Sequence, residues 1–238
     1  MTWRIVLNGP TTPEVNMNED MKALETIQIS PPTLTLYRWA GECATYGHFI
    51  DFSKYIDLNR ADEFGLKHAK RPTGGGIMFH QCDLAFSVIY PIRGVNLYQN
   101  TVENYTFINN KITKVIELFS AGTLSPKVYI PSEIDDKENE NAHPFCMAKP
   151  TIYDLVIDGR KVAGGAQRRT KFGLLYQGSI SLTMPSRAFL FQFLKEDGDI
   201  AESIESNSYF LVNDICTSSQ LNKARVRLQQ LMISIFCV

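Results

Sequence analysis

Asp154-Leu155-Val156-Ile157-Asp158-Gly159-Arg160-Lys161-Val162-Ala163-Gly164-Gly165-Ala166-Gln167-Arg168-Arg169, residues 154–169, reads as two strands joined by a tight turn. Asp158-Gly159 is a two-residue hairpin signal, because a type I′ turn needs positive φ at both central positions. Asp154 to Ile157 supplies one strand and Arg160 to Gln167 the other, and Leu174 to Leu182 follows as a third. Strand alternation puts Lys161, Ala163 and Gly165 on one face. A lysine above such small neighbours has open space in front of it. It serves either as a point charge for a carbonyl or phosphoryl oxygen or as a solvated hairpin lysine, and on spacing alone the second is commoner. Gly164-Gly165 weakens a strand, which suggests close approach of another group.

Outward from the hairpin, Trp3 to Leu7 reads as a short strand. Asn16-Met17-Asn18-Glu19 resembles a capping box that opens a helix, with Met17, Met21 and Leu24 as its buried stripe. Thr33 to Trp39 alternates, predicting a strand with one wet face, and Leu84 to Tyr90 a more fully apolar one. Thr101 to Ala121 is the best helix: Val102, Tyr105, Ile108, Ile112, Val115, Ile116 and Phe119 share a face, and Gly122 sits at a capping position. Val128 to Ile130 reads as a short strand. Ser132 to Asn141 sets Glu133, Asp135, Asp136, Glu138 and Glu140 against Lys137, and reads as a loop. Ser219 to Phe236 predicts a closing helix. Strand runs with few helices and no regular βαβ alternation define an α+β fold, a mixed and mostly antiparallel sheet packed with helices. Without repeats or Gly/Ser or Pro linkers, residues 1–238 are expected to form a single domain with no separate C-terminal accessory domain.

At 238 residues the chain can bury one good core. It is 44% hydrophobic and 21% charged with a net charge of -1, so no global attraction to nucleic acid or to an anionic membrane is expected. MTWRIVLNGP lacks the features of a signal peptide, and Leu231 to Val238 is too short to span a bilayer. The five cysteines are scattered and lack zinc-ligand spacing, which predicts a cytoplasmic chain with free thiols.

The second informative segment is Lys70-Arg71-Pro72-Thr73-Gly74-Gly75-Gly76-Ile77-Met78-Phe79-His80. Three glycines after two cations allow backbone amides to cradle a phosphate or carboxylate, although a lone Gly-Gly-Gly is more often a plain turn. It is neither a P-loop nor a dinucleotide fingerprint. Cys146, in His143-Pro144-Phe145-Cys146-Met147, is a nucleophile candidate if cations lie near it and an inert thiol otherwise. His80 is a candidate base or a satisfied core histidine. Asp83 and Asp154 suit turns or caps as well as chemistry, and Lys149, Arg168, Arg169 and Lys171 form a basic cluster of the kind usual on a wet face.

Together the two segments resemble the lipoate–protein ligase and octanoyltransferase family, whose superfamily includes the biotin–protein ligase catalytic domains. KRPTGGGIMFH is similar to that family's Arg-Arg-x-Ser/Thr-Gly-Gly-Gly-x-x-x-His motif. DGRKVAGGAQRR is similar to its Asn/Asp-Gly-Lys/Arg-Lys-Ile/Val-x-Gly-x-Ala-x-Arg motif. Gly9, Asn16-Met17, Asp20 and Ala23-Leu24 resemble its first helix, and Leu36-Tyr37-Arg38-Trp39 the strand before its substrate pocket. The resemblance runs from about Trp3 to Leu182.

The resemblance implies transfer of an octanoyl or lipoyl group to a lysine of a lipoyl carrier domain, such as those of 2-oxoacid dehydrogenases or the glycine-cleavage carrier protein. It assigns Lys161 to the acyl carbonyl and the developing oxyanion. Gly74, Gly75 and Gly76 would line the acyl slot, and Arg71 would place its anionic or carrier-linked end. Thr73, His80, Asp154, Gly164, Gly165 and Ala166 complete the implied acyl-binding set. Cys146, Pro150, Tyr153 and Asp154 resemble the cysteine-dependent octanoyltransferases, in which the cysteine takes the acyl group from octanoyl–acyl-carrier protein and no cofactor is needed. The alternative is an ATP- and Mg-dependent ligase working through lipoyl-adenylate. The triple glycine suits it. Tyr153-Asp154 in place of Asn-Asp, and the missing acid after His80, do not. A non-catalytic carrier-binding subunit is the alternative of another class, and the presence of Lys161 and Cys146 argues against it.

Overall fold

A computed structural model describes residues 2–92, 100–121, 127–131, 144–195, 200–212 and 217–237. The expected cap at Gly122 and the acidic loop 132–141 lie outside these residues, as do His143 and Cys216. In chain order the elements are β1 (Arg4–Leu7), α1 (Pro13–Thr26), β2 (Thr33–Leu36), β3 (Cys43–Tyr46), α2 (Leu58–Glu63) and β4 (Lys67–Lys70). They continue with β5 (Ile77–Phe79), β6 (Asp83–Pro91), α3 (Thr101–Ser120), β7 (Leu155–Ile157), β8 (Arg160–Arg169) and β9 (Gly173–Ser181). Helices α4 (Arg187–Phe193), α5 (Ile200–Asn207) and α6 (Ser218–Phe236) follow.

The main sheet has the order β1-β2-β6-β9-β8-β7. Only β1 and β2 pair in parallel; every other neighbour is antiparallel. A smaller sheet, β4-β3-β5, mixes one parallel and one antiparallel pair. The α+β expectation therefore holds. No helix among the described residues is long and apolar enough to cross a membrane.

Alternation along β6 explains how the main sheet is covered. Leu84, Phe86, Val88 and Tyr90 enter the large core with Ile108, Ile112 and Val115 of α3 and Leu228, Met232 and Phe236 of α6. Between them, Ala85 meets Met17, Ser87 meets Asp20, and Ile89 meets Leu24 and Ile27, so α1 covers the opposite face. Burial on both sides explains why β2 has no wet face, contrary to the alternation of Thr33 to Trp39: all four of its residues are buried. A second core, in which the Phe79 ring touches those of Phe145, Phe189 and Phe193, lies under the small sheet.

Several local expectations are corrected. Helix α1 begins at Pro13, with Thr12 as its cap accepting from the Val15 amide at 3.4 Å. Asn16 is a buried residue of its second turn, whose Oδ1 accepts from Asn8 Nδ2 and Thr11 Oγ1. Proline at the first helical position costs no hydrogen bond and outcompetes the downstream capping pattern. Val102 is 49% exposed and lies off the buried stripe of α3. Around Val128 to Ile130 only an isolated bridge forms, from Tyr129 to Val156. The β7–β8 turn is as expected, with φ of 50° at Asp158 and 75° at Gly159.

Candidate active site

A cavity of about 440 Å³ opens where the two sheets meet, with Thr45 and Met78 on one wall and Ala163 and Gly178 on the other. Among the sequence-selected residues, Arg71, Gly75, Gly76, His80, Cys146, Asp154, Lys161, Gly164, Gly165 and Ala166 line it. Thr73 and Gly74 do not. Thr73 is buried behind the wall, and the Gly74 carbonyl accepts from Arg71 Nη2 at 3.1 Å.

Strand β8 delivers Lys161, but simple alternation fails there. Pairing steps from Val156–Lys161 to Leu155–Ala163, so β8 carries an extra residue at Val162. This bulge shifts the pleat, and Gly164, not Gly165, shares the face of Lys161. A Cβ on Gly164 would stand 2.1 Å from Asp154 Oδ1 and 2.7 Å from Lys161 Cε. A Cβ on Gly165 would instead meet the ring of Tyr176, 2.5 Å from Cζ, on the core side. The Lys161 ammonium pairs with Asp154 Oδ2 at 2.9 Å. Asp154, 2% exposed, is fixed in turn by the Thr151 amide and hydroxyl at 2.8 and 2.9 Å. A largely buried lysine is thereby held in place, with its charge in one part of the slot.

Cys146 arrives from a different direction. Residues 144–146 run beside β5: the Ile77 amide donates to the Pro144 carbonyl at 2.6 Å, and the Cys146 amide to the Ile77 carbonyl at 2.9 Å. Gly76 permits this approach, since a Cβ there would lie 2.1 Å from the Pro144 oxygen. The Gly76 amide donates to Cys146 Sγ at 3.1 Å, and Arg71 Nη2 lies 3.8 Å from the same sulfur. Ser208 then ties the cysteine turn to the lysine strand. Its hydroxyl donates to the Met147 carbonyl at 2.7 Å, its backbone bridges Lys161, and the next amide, of Tyr209, donates to the Lys161 carbonyl at 2.7 Å.

Sequence reasoning passed over the network behind the glycine loop. Asp20 Oδ2 accepts from Tyr37 and from Gln177 Nε2, the latter at 2.7 Å, while its Oδ1 accepts from Ser87 at 2.8 Å. Gln177 Oε1 accepts from Thr73 Oγ1 at 2.8 Å, which pins the loop to α1. Burial pushes the Asp20 carboxyl up to about 6 against the pull of its three donors, and burial also raises the Tyr37 hydroxyl well above its ordinary value. Gly47 was missed as well: a Cβ there would lie 1.8 Å from the Gly75 oxygen. No local signal marks Gly47, because its neighbour is distant in sequence.

A slot lined by both a thiol and a fixed ammonium suits chemistry at the carbonyl end of an acyl chain. The fold has a parallel among solved structures. Over 98% of this chain and 84% of the other, it superposes at a TM-score of 0.66 and 18% identity on a bipartite lipoate protein ligase from Thermoplasma acidophilum, described with its E2 lipoyl domain. The lipoyl protein ligase A/B catalytic domain model matches residues 12–235, and the chain belongs to that family. Among its relatives, the octanoyltransferase LipM of Anoxybacillus flavithermus is 30% identical over 86% of this chain and 74% of its own length. LipM of Bacillus subtilis is 30% identical over 87% and 74%. The expected family and α+β catalytic fold are thus established, and with them an acyl-transferring enzyme of protein lipoylation.

Proposed function

We propose that this chain moves an octanoyl group from a carrier-bound thioester to Cys146 and then to the ε-amine of a lysine in a lipoyl carrier domain. The observation that carries this reading is that Cys146 and Lys161 line one cavity while the Gly76 amide donates to the cysteine sulfur. In the first step the Cys146 thiolate attacks the thioester carbonyl. The tetrahedral oxyanion collapses, the carrier thiolate leaves, and the proton given up by Cys146 ends on that thiol. In the second step the neutral acceptor amine attacks the Cys146 thioester, an amide forms, and the amine's proton ends on the released sulfur. Lys161, held by Asp154, stabilises both oxyanions by charge. Because a thioester is already activated, neither ATP nor Mg enters the reaction.

The 2-oxoacid dehydrogenase and glycine-cleavage lipoyl domains are the proposed acceptors, and acyl-carrier protein the donor. Residues 1–238 act as one catalytic unit in this reading, and the free thiols of Cys43, Cys82, Cys146 and Cys237 suit work in the cytoplasm. The test is the intact mass of a purified apo lipoyl domain after incubation with the protein and octanoyl–acyl-carrier protein without ATP. Octanoylation that vanishes in Cys146→Ala supports the reading. A domain modified only when lipoate and ATP are supplied replaces it with the adenylate route.

A further inference from the structure

Four buried side chains form one hydrogen-bonded line that ends at the Cys146 sulfur. Asp83 Oδ2 is 2.8 Å from His80 Nδ1, and His80 Nε2 is 2.8 Å from Thr45 Oγ1. Arg71 Nη1 donates to that same hydroxyl at 2.8 Å, while Arg71 Nη2 lies 3.8 Å from Cys146 Sγ. The least buried of the four, Arg71, is 8% exposed.

One direction of the line pairs the Thr45 hydrogen as well as its oxygen. An arginine only donates, so Thr45 Oγ1 accepts from Arg71, and its own hydrogen can go to His80 Nε2. In that arrangement the ring proton sits on Nδ1 and is donated to Asp83. Trp39 stacks on the imidazole at 4.3 Å and 23°, which fixes the ring plane.

Resting on the thioester reading above, we propose that Asp83, His80 and Thr45 are positioning residues. They hold His80 as the neutral Nδ1–H tautomer and aim the Arg71 guanidinium at Cys146. Both imidazole nitrogens are used within the protein, so His80 lines the cavity without serving as a base or an acyl ligand. Among the described residues Arg71 pairs with no carboxylate; its oxygen acceptors are the Thr45 hydroxyl and the Gly74 and Gly76 carbonyls. A buried cation with neutral acceptors is well placed to meet the negative charge that forms on the sulfur each time the acyl group arrives or departs. Without the Thr45 hydroxyl, one arm of the guanidinium fork loses its anchor.

Two measurements on the full chain test this. The first is ¹⁵N–¹H correlation of the His80 ring, which reports an Nδ1–H tautomer in the wild type. The second is single-turnover acylation of Cys146 by octanoyl–acyl-carrier protein. Thr45→Val, a near-isosteric change, slows it about tenfold in protein that stays folded at the assay temperature by circular dichroism, at unchanged half-saturating carrier concentration, and Thr45→Ser restores it. An imidazolium or Nε2–H tautomer in the wild type, or wild-type acylation by Thr45→Val, overturns the proposal. If the wild type forms no acyl-enzyme at all, the thioester reading fails, and the ring resonances still decide the tautomer.

Discussion

Lys161 reaches Asp154 across the bare face of Gly164, and the 2.9 Å ion pair exists because no side chain stands between them. Both partners are nearly excluded from water, at 12% and 3% side-chain exposure, so the lysine head group has one held position and not many.

Gly164→Ala therefore leaves the sheet in place and misplaces the reacting charge. The added methyl would lie 2.9 Å from Lys161 Nζ and closer still to Asp154 Oδ1, and both side-chain ends must move aside. The expected result is a loss of about 100-fold in octanoyl transfer with near-native circular dichroism. Steady-state rates on the purified variant check it.

Gly76→Ala acts on backbone instead. Its methyl would meet the Pro144 carbonyl, which cannot rotate away without breaking the pairing of residues 144–146 with β5. A stability loss of about 3 kcal/mol is expected, together with loss of Cys146 acylation. Denaturant melts and iodoacetamide labelling of Cys146 measure the two effects separately.

Arg71→Lys keeps the charge and loses the fork. One ammonium cannot reach Thr45 Oγ1, the Gly74 and Gly76 carbonyls and the Cys146 sulfur together. Acylation should slow by about 10- to 100-fold, and the second step should slow as well, because the same sulfur is the leaving group. Single-turnover mass spectrometry of each half-reaction checks this.

Asp20 carries a pH dependence of stability. Its folded-state pKa is raised to about 6 from an ordinary 3.8, so the native state holds a proton that the unfolded chain has already lost between those values. The resulting contribution is fully present below the unfolded value and disappears as pH rises through the folded one. Relative to Asp20→Asn, the wild type should lose stability from about pH 4 to pH 6, by no more than about 3 kcal/mol, with no further change above that window. Chemical denaturation of both proteins across the range measures it.

The hairpin and its neighbouring strands were legible because their signals are local: Asp158-Gly159 requires positive φ, and the apolar runs of β6 and β9 admit few other readings. The long helix α3 showed itself by period, apart from Val102 in its exposed first turn. Pairing between distant segments left no such trace. The bulge at Val162 arises from how β7 meets β8, so alternation alone placed Gly165 where Gly164 stands. The seat of Cys146 depends on a bridge from Phe145 to Ile77, and the loop anchor on Thr73, Gln177 and Asp20, which lie far apart in the chain. The start of α1 had a signal, Thr12-Pro13, that a capping pattern four residues later obscured.

The decisive measurement is the intact mass of the protein itself after mixing with octanoyl–acyl-carrier protein in the absence of acceptor, ATP and Mg. A gain of one octanoyl group, localised to Cys146 by peptide mapping, released by hydroxylamine and chased onto an added apo lipoyl domain, is the expected result. An unmodified Cys146 in a protein that nevertheless octanoylates the lipoyl domain would contradict the thioester route.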